Sequence, residues 1–429
     1  MKICSARLKY FTIFNLLICV CLYTTSARAG GLWLYEQPVP DMGTAAAGRA
    51  ALAKDASTAA GNPAGMTRLE RSQLVTGFLA IDVTAKFDAD DTGTTFSGGN
   101  GGDAGYFSPG LGLSYVHNLT EDLKLGLVVG SYFGLGLDYG DGWAGRYYTQ
   151  DGEFLTAGMN PVVAYRICEW LSIGGGFNVI LSKFGAKVAI NNLLPGLYDG
   201  RLKYEDEDVG YGGNAGVLVE PREGTRFGLT WRSEVNFHFK DRPDIHGLGP
   251  LLSEALLKSD FKGDKLKIDM TLPQGVMFSA YHDLTDRLAI MGNVGWQDWS
   301  EFGHVEVSVG DSTSTTKNLH YRDTWHWAIG AHYRITEPWL LSVGFAYDTS
   351  PISKSSNRSP SLPLDRQIRY ATGIQYDWSE DITLGFAYTF LDAGEADINQ
   401  SGGRFKGNIR GDYKSNYINF FNVNVVWKF

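Results

Sequence analysis

The chain has 429 residues, a formal net charge of −9 and charged side chains at 20% of its positions. This acidic balance argues against a nucleic-acid-binding protein, because such proteins carry basic surfaces. Aromatic residues make up 13% of the chain and glycine contributes 53 residues. After the first 29 residues no stretch is apolar over the roughly 20 residues that a membrane helix needs, which excludes a bundle of such helices.

The first 29 residues have the three-part layout of a secretory signal peptide. A basic start is followed by the mostly apolar run Tyr10–Tyr23, and Ala27 and Ala29 place small residues where a signal peptidase reads. A run of about 14 residues is too short to cross a bilayer as a helix, which argues against the alternative of a retained anchor. Cleavage after Ala29 would leave 400 residues with a formal charge of −13.

Cys168 would be the one cysteine left after this cleavage, so neither a disulfide framework nor a cysteine metal site is expected within the chain. The eight histidines show no paired metal spacing. No arrangement of Ser, His and Asp predicts catalysis, and Gly310–Ser314 lacks the closing glycine of a nucleophile elbow. We therefore expect no enzyme activity, no metal and no cofactor.

Residues 30–71 show no strand-like alternation. The alanine-rich run Gly43–Ala53 favours a helix with Asp41 as a possible N-cap, and Asp55 could cap a second short turn. Pro63 and Gly65 then break the helical pattern. A segment of this length before the first strand predicts a small helical hatch that plugs the lumen of a wide barrel. A periplasmic tail is the alternative.

Residues 72–429 alternate between apolar and polar side chains with the period of two that β-strands show. At the C-terminus one face carries Phe421, Val423, Val425, Trp427 and Phe429, whereas Asn422, Asn424 and Lys428 lie on the other. In an earlier segment Trp325, Trp327, Ile329 and Tyr333 oppose His326, His332 and Arg334. One face for lipid and one for an enclosed lumen is the pattern of a transmembrane β-barrel.

About fourteen such segments follow one another, and short turns alternate with long loops, as in barrels of bacterial outer membranes. We place the segments near 72–88, 105–118, 121–139, 153–168, 169–190, 204–220, 224–240, 264–284, 286–305, 317–335, 337–350, 364–378, 380–396 and 412–429. The sequence therefore predicts an all-β protein, a transmembrane antiparallel β-barrel of about 14 strands with an N-terminal hatch. A soluble sandwich or barrel also alternates, but it rarely needs so many long two-faced segments.

Two of the long loops, 191–203 and 241–263, are unusually rich in leucine. Spacing of three to four in the second loop predicts a short amphipathic helix. Exposed apolar patches usually mark binding surfaces, so we predict an extracellular apolar groove, with packing of the leucines on one another as the alternative. The candidate groove residues are Leu193, Leu194, Leu248, Leu251, Leu252, Ala255 and Leu256.

Several motifs together resemble the FadL family of outer-membrane transporters, which carry long-chain fatty acids and, in some branches, aromatic hydrocarbons. The resemblance is most specific at the N-terminus and extends to the C-terminal part. It rests on Leu32–Glu36, Met42–Gly48, Asp55–Thr58, Asn62–Met66, Trp143–Tyr147, Asn160-Pro161, Ala164–Arg166, Asp323–Trp325, Gly344–Asp348 and Leu362–Arg366.

The resemblance implies a fourteen-stranded barrel whose hatch contains an Asn-Pro-Ala motif, here Asn62, Pro63 and Ala64. It also implies capture of ligand outside, transfer to an inner pocket, and release into the membrane through a gap at a kinked third strand. Glycine is where strands bend, so Gly134 and Gly136 are our kink candidates. Either glycine could instead face a crowded hatch.

The carboxylate of a fatty acid would need a cation near the inner pocket. Arg146 and Arg334 are the candidates, together with His326 and His332, which share the inward face of one segment with Arg334. Charged side chains that face the lumen are common in barrels, so each of these residues could equally be a solvated part of the barrel wall with no ligand.

We expect this chain to lie as a monomer in the outer membrane of a Gram-negative bacterium, in contact with outer-membrane lipid. The terminal Phe429, with Trp427 and Val425 on its face, resembles the signal that the barrel assembly machinery reads. Uptake of long-chain fatty acids is the predicted function, and uptake of aromatic hydrocarbons is the alternative within the family. A barrel enzyme and an open porin for polar solutes are the alternatives outside it.

Overall fold

The computed structural model describes residues 35–131, 133–258, 265–309 and 313–429. The predicted signal peptide, residues 1–29, lies outside this part of the chain. Among the described residues, no helix is both long and apolar enough to cross a membrane.

Fourteen antiparallel strands form a closed ring, as the alternation predicts. Each strand pairs with its neighbours in the chain, and the first pairs with the last from Gln73 opposite Lys428 to Ala89 opposite Gly411. The strands are β1 (Gln73–Ala89), β2 (Phe107–Asn118), β3 (Leu123–Gly130 and Gly134–Asp138), β4 (Asp151–Cys168), β5 (Leu171–Ile190), β6 (Gly200–Arg222), β7 (Thr225–Arg232), β8 (Gly275–Asp283), β9 (Leu288–Gln297), β10 (Thr324–Thr336), β11 (Trp339–Asp348), β12 (Gln367–Asp377), β13 (Ile382–Asp392) and β14 (Asn408–Lys428).

The barrel wall is apolar outside and polar inside. In β10 the side chains of Trp325, Trp327 and Ile329 are exposed, whereas His326 and His332 are buried. A soluble protein would bury the apolar face instead. Exposure of the apolar face is stable only where lipid covers it, so the alternation predicted from the sequence describes the wall correctly.

Besides the third segment, four segments predicted as continuous strands are interrupted in the structure, near residues 233–234, 273–274, 298–303 and 319–323. Their outer parts separate from the ring and form a second, four-stranded sheet, which we call the cap sheet. Its strands are Val235–Asp241, Leu266–Leu272, His304–Val309 and Thr313–Asn318. Residues 306–316, which the predicted segments 286–305 and 317–335 leave as a loop, therefore lie partly in strands. Sequence alternation missed the interruptions because the cap sheet also alternates, with its apolar face on a protein core.

The connections at the cap-sheet end of the ring carry further short elements. The strand Asp244–His246 pairs with β6, and Ile398–Ser401 pairs with β14. The α-helices outside the lumen are Pro250–Lys258, Trp299–Phe302 and Gly403–Lys406. Turns at the opposite end are short, which marks that end as periplasmic.

Residues 35–71, which we call the hatch, fill the lumen. The hatch contains the 3-10 helices Pro40–Thr44 and Pro63–Arg68 and the single-turn α-helix Thr58–Gly61. The helix expected over Gly43–Ala53 is absent, because Ala45 and Ala46 adopt positive φ values of 53° and 59°. Asp41 lies inside the first 3-10 helix, and it accepts from the Arg49 Nε at 2.6 Å instead of capping a helix.

Side chains of the barrel wall satisfy the hatch backbone in place of helical hydrogen bonds. Asn293 Oδ1 accepts from the Gly48 N–H at 2.7 Å. Arg226 donates to the Ala51 and Leu52 carbonyls at 2.9 and 3.0 Å. Asn422 Nδ2 donates to the Val39 carbonyl at 2.8 Å. Buried backbone groups need partners, and here the polar lumen face supplies them.

Candidate functional site

An exposed apolar surface lies at the extracellular end, where the loop 191–199 meets the loop that follows β7. Asn192 joins the two loops, since its Nδ2 donates to the Gly247 carbonyl at 2.9 Å and its Oδ1 accepts from the Gly249 N–H at 2.7 Å. We call this surface the outer patch. Its exposed or half-buried members are Leu193, Leu194, Leu197, Tyr198, Leu248, Leu251 and Leu252.

The structure thus brings together the two leucine-rich loops of the predicted groove. Leu193, Leu194 and Leu251 are exposed, and Leu248 and Leu252 are half-buried. The side chains of Ala255 and Leu256 lie outside the described part of the chain. An apolar surface that stays in water costs free energy unless something covers it, which makes the outer patch a candidate first contact for an apolar ligand.

A second apolar site, the inner cluster, lies between the hatch and the cap sheet. Phenylalanine rings dominate it, with the ring centroids of Phe133 and Phe154 5.1 Å apart and those of Phe133 and Phe302 5.4 Å apart. The cap sheet contributes its apolar face. The buried members are Phe133, Phe154, Ile180, Tyr204, Val235, Phe237, Phe239, Ile268, Met270, Leu272, Trp299, Phe302, Tyr321, Ile352, Leu362 and Leu364.

The third strand is interrupted beside the inner cluster. The ladder between β2 and β3 ends at Leu113 opposite Val129, and within the described part of the chain the second half of β3 forms a ladder only with β4. The wall is joined again farther out, where Asp138 N–H donates to the Ala104 carbonyl at 2.9 Å. We call the unpaired stretch between these points the wall gap. Phe133 lies at the gap and belongs to the inner cluster, so the cluster borders the opening.

A network of buried polar side chains lies beside the inner cluster. Arg369 on β12 is 1% exposed; its Nε donates to Glu36 Oε1 at 2.6 Å and its Nη2 to Gln367 Oε1 at 2.7 Å. Its Nη1 donates to Asp348 on β11. His326 Nδ1 lies 2.9 Å from the other Asp348 oxygen. We call these five residues the Arg369 network.

Tyr35 connects this network to the inner cluster. Its ring stacks on that of His326 with the centroids 4.2 Å apart, and its hydroxyl accepts from Gln297 Nε2 at 3.0 Å. Trp299, a member of the inner cluster, donates to Gln297 Oε1 at 2.8 Å. Burial, reinforced by the charge of Asp348, raises the pKa of the Tyr35 phenol well above its ordinary value. The phenol therefore stays neutral at physiological pH.

One small cavity lies between the network and the cluster. Its lining includes Tyr35, Arg369 and Asp348 on the polar side, and Trp299 and Leu364 on the apolar side. A guanidinium and an apolar core therefore share one space. This combination suits a ligand with an anionic head and an apolar tail.

The Asn-Pro-Ala motif lies at the contact between hatch and wall. Asn62 Nδ2 donates to the Ala50 carbonyl in the hatch at 2.7 Å and to the Val217 carbonyl of β6 at 3.0 Å. Pro63 and Ala64 lie against Gly174 on β5, where a side chain would collide with them. The motif thus seats the hatch on β5 and β6.

The two cations chosen from the sequence lie away from the inner cluster. Arg146 Nε donates to Asp199 Oδ2 at 2.7 Å among the extracellular loops. Arg334 Nη1 donates to Asp377 Oδ2 at 2.8 Å near the periplasmic end. Each guanidinium thus bonds a carboxylate outside the inner cluster. Two other cations lie beside the cluster: Arg369, and Arg358, whose Nε donates to the Leu364 carbonyl at 2.7 Å. His332 is buried in the lumen face of β10.

The first part of β3 ends at Gly130, and the second part begins at Gly134. Gly134 pairs with Leu155, and Gly136 pairs with Glu153 within the resumed strand. Ser131, Phe133, Glu36 and Arg369 were not singled out from the sequence. One feature of the sequence could have identified Arg369, because it is a cation at an inward-facing position of an alternating segment. Its partner Glu36 is 333 positions away, which no local pattern reveals.

The sequence matches the family described as "Outer membrane protein transport protein (OMPP1/FadL/TodX)" over residues 20–429. The "Long-chain fatty acid transport protein" of Escherichia coli O6:H1 is 26% identical over 412 residues, covering 89% of this chain and 91% of that protein. A crystal structure of a Pseudomonas aeruginosa FadL homologue superposes with a TM-score of 0.84 at 18% identity, covering 93% of this chain and all of the other.

The crystal structure of the P. putida toluene transporter TodX superposes with a TM-score of 0.62 at 17% identity, covering 86% of this chain and 92% of that one. These two structural likenesses support the fold, whereas the family match covers nearly the whole sequence and therefore settles membership. This chain belongs to the outer membrane protein transport protein family, whose members are transport proteins of the outer membrane.

Proposed function

We propose that this protein takes up long-chain fatty acids, or closely similar apolar acids, across the outer membrane. Ligand is captured on the outer patch, held in the inner cluster and released into the membrane through the wall gap. The hatch blocks a straight aqueous path, so the ligand leaves sideways. The observation that carries the proposal is Phe133, which belongs both to the inner cluster and to the interrupted part of β3.

The energetics favour an apolar ligand of this size. Each buried methylene contributes about 0.8 kcal/mol, so a C16 chain that buries half its methylenes gains on the order of 6 kcal/mol before association costs.

Aromatic hydrocarbons are the second candidate substrate. The inner cluster is rich in aromatic side chains, and the similarity to a protein named as a toluene transporter points the same way. The buried guanidinium of Arg369 favours an acid, because a hydrocarbon offers it no partner. Growth of a deletion strain on oleate or on toluene as sole carbon source, with and without this gene, separates the two substrates.

Release through the wall can be tested by bridging the gap. Continuing the β2–β3 register places Leu111 opposite Ser131, where pairing has stopped. In a Cys168→Ser background, we expect Leu111→Cys and Ser131→Cys joined by a bifunctional maleimide to abolish oleate uptake by cells while purified protein still binds oleate.

The matched control joins Tyr115→Cys to Leu127→Cys, which face each other in the intact ladder of the same two strands. This bridge should leave uptake unchanged. Equal uptake with both bridges would exclude release through the gap.

A further inference from the structure

Glu36 has an environment that its contact with Arg369 does not fully explain. The side chain is 3% exposed, and Oε1 accepts from Arg369, whereas Oε2 has no hydrogen-bond partner among the residues that the structure describes. A buried carboxylate oxygen without a partner is costly in free energy. Both oxygens have lost their hydrogen bonds to water, and only one of them has gained a hydrogen bond from the protein. Glu36 is therefore held on Arg369 less firmly than a fully bonded carboxylate would be.

We propose that Glu36 occupies the place of the ligand's carboxylate on Arg369, and that an apolar acid binds by exchanging with it. The inference deepens the proposed function, on which it rests, by assigning the headgroup class and the residue that selects it. Arg369 would be the specificity residue, and Glu36 a competing group that the protein carries in its own hatch.

Charge balance favours exchange over simple addition. Two carboxylates, Glu36 and Asp348, face the single guanidinium of Arg369 within a buried network. A third carboxylate added beside them would meet uncompensated negative charge at low dielectric. Replacing Glu36 by the ligand's carboxylate leaves the count of charges unchanged.

The geometry places a ligand tail correctly for such an exchange. Arg369 shares a cavity with Trp299 and Leu364, and both of these side chains belong to the inner cluster. A carboxylate on Arg369 would therefore have its chain pointing into the aromatic core. A fatty alcohol or an aromatic hydrocarbon can enter the same core, but it carries no charge to replace that of Glu36.

Exchange of Glu36 for the ligand would also affect the edge of the wall gap. The neighbouring hatch residue Gln37 donates from Nε2 to the Ser131 carbonyl at 2.7 Å, and Ser131 begins the interruption of β3. Displacing Glu36 moves the segment that holds this bond. Occupation of Arg369 by an acid is thus coupled, through two adjacent residues, to the edge of the gap.

The test compares oleate with oleyl alcohol, which has the same chain and no charge, on purified full-length protein in detergent. A neutral amide bonds a guanidinium less strongly than a carboxylate does. We therefore expect Glu36→Gln to tighten oleate binding about tenfold and to leave oleyl alcohol binding within about twofold. The control is Glu220→Gln, which removes the carboxylate that pairs with the hatch residue Arg68 at the periplasmic end.

A second variant keeps the test decisive. The double variant Glu36→Gln with Arg369→Gln removes the cation and the competing carboxylate together. We expect it to bind oleate at least tenfold more weakly than Glu36→Gln does, while oleyl alcohol still binds. Retention of the oleyl alcohol signal shows that the variant is folded.

Three results would overturn the exchange: unchanged oleate affinity in Glu36→Gln, an equal gain in Glu220→Gln, or an equal gain for oleyl alcohol. In each of these cases the native protein still binds oleate, and the proposed uptake function stands. If the native protein binds neither compound, the proposed function fails and the exchange fails with it.

Discussion

At the scale of single residues, glycines on the inner wall set how closely the hatch can approach. A Cβ atom at Gly216 would lie 2.0 Å from Asn62 Oδ1, and one at Gly228 would lie 1.8 Å from the Ala50 carbonyl oxygen. Atoms cannot approach so closely, so the Asn62 side chain at Gly216 and the hatch backbone at Gly228 rest directly on the strand backbone. Part of the glycine content therefore serves the contact between hatch and wall.

Gly216→Ala should displace the Asn-Pro-Ala motif from β6. The added methyl group meets Asn62, which cannot move without losing its bonds to Ala50 and Val217. We expect a loss of about 1–3 kcal/mol in stability, typical of an overpacked contact, and a higher ion conductance in planar bilayers. Gly213→Ala on the same strand is the control, because a Cβ there makes an ordinary 3.5 Å contact. Equal conductance of both variants would contradict the seating of the hatch by Gly216.

At the scale of elements, side chains join the cap sheet to the barrel wall. They do so beyond the point where the backbone hydrogen bonds between β6 and β7 stop. β6 pairs with β7 from Asn214 to Arg222. Farther out, Asp208 Oδ2 accepts from the His238 N–H at 2.7 Å, and Asp206 accepts from the Lys240 N–H. Two carboxylates thus hold the edge of the cap sheet over the inner cluster.

Asp206→Ala combined with Asp208→Ala should loosen the edge strand Val235–Asp241. Hydrogen bonds to charged groups contribute about 1.5–3 kcal/mol each, so we expect at least tenfold faster amide hydrogen exchange over this strand. Glu207→Ala, between the two on the exposed face, is the control. Unchanged exchange in the double variant would show that apolar packing alone holds the cap sheet.

At the scale of the whole molecule, the hatch closes a ring that would otherwise be open to water. A barrel of fourteen strands is too wide for wall side chains alone to fill. The hatch supplies small buried residues such as Ala47, Ala51 and Ala59, and the polar wall supplies hydrogen-bond partners. The two surfaces complement each other along the lumen.

Deleting residues 30–70 should therefore raise the leak of polar solutes. The strands begin at Gln73, and their ladders connect them to one another, so the ring can close without the hatch. We expect larger steady currents in planar bilayers and faster entry of small hydrophilic antibiotics into cells. A leak equal to that of the full chain would show that residues 30–70 are no plug.

Local patterning predicted the ring well because each strand must alternate between lipid and lumen. Strands such as β10, β13 and β14 could be placed by this period alone. Between residues 233 and 323 the same rule placed the ring strands β8 and β9 but missed the interruptions, since the cap-sheet strands alternate for a different reason, with an apolar face on the inner cluster. The helix expected at Gly43–Ala53 failed because intrinsic propensity is weak compared with the partners that Asn293 and Arg226 offer to its backbone.

The sequence by itself determined that this chain is an outer-membrane barrel of about fourteen strands, because period-two alternation over fourteen segments has few other solutions. Only the tertiary structure decided which cation meets the inner cluster. Arg146 and Arg334 have carboxylate partners elsewhere, and Glu36 and Arg369 meet across 333 positions. The tertiary structure likewise decided where the wall gap lies. The gap exists where β2 and β3 cease to pair, and the pairing of two strands cannot be deduced from the sequence of either strand alone.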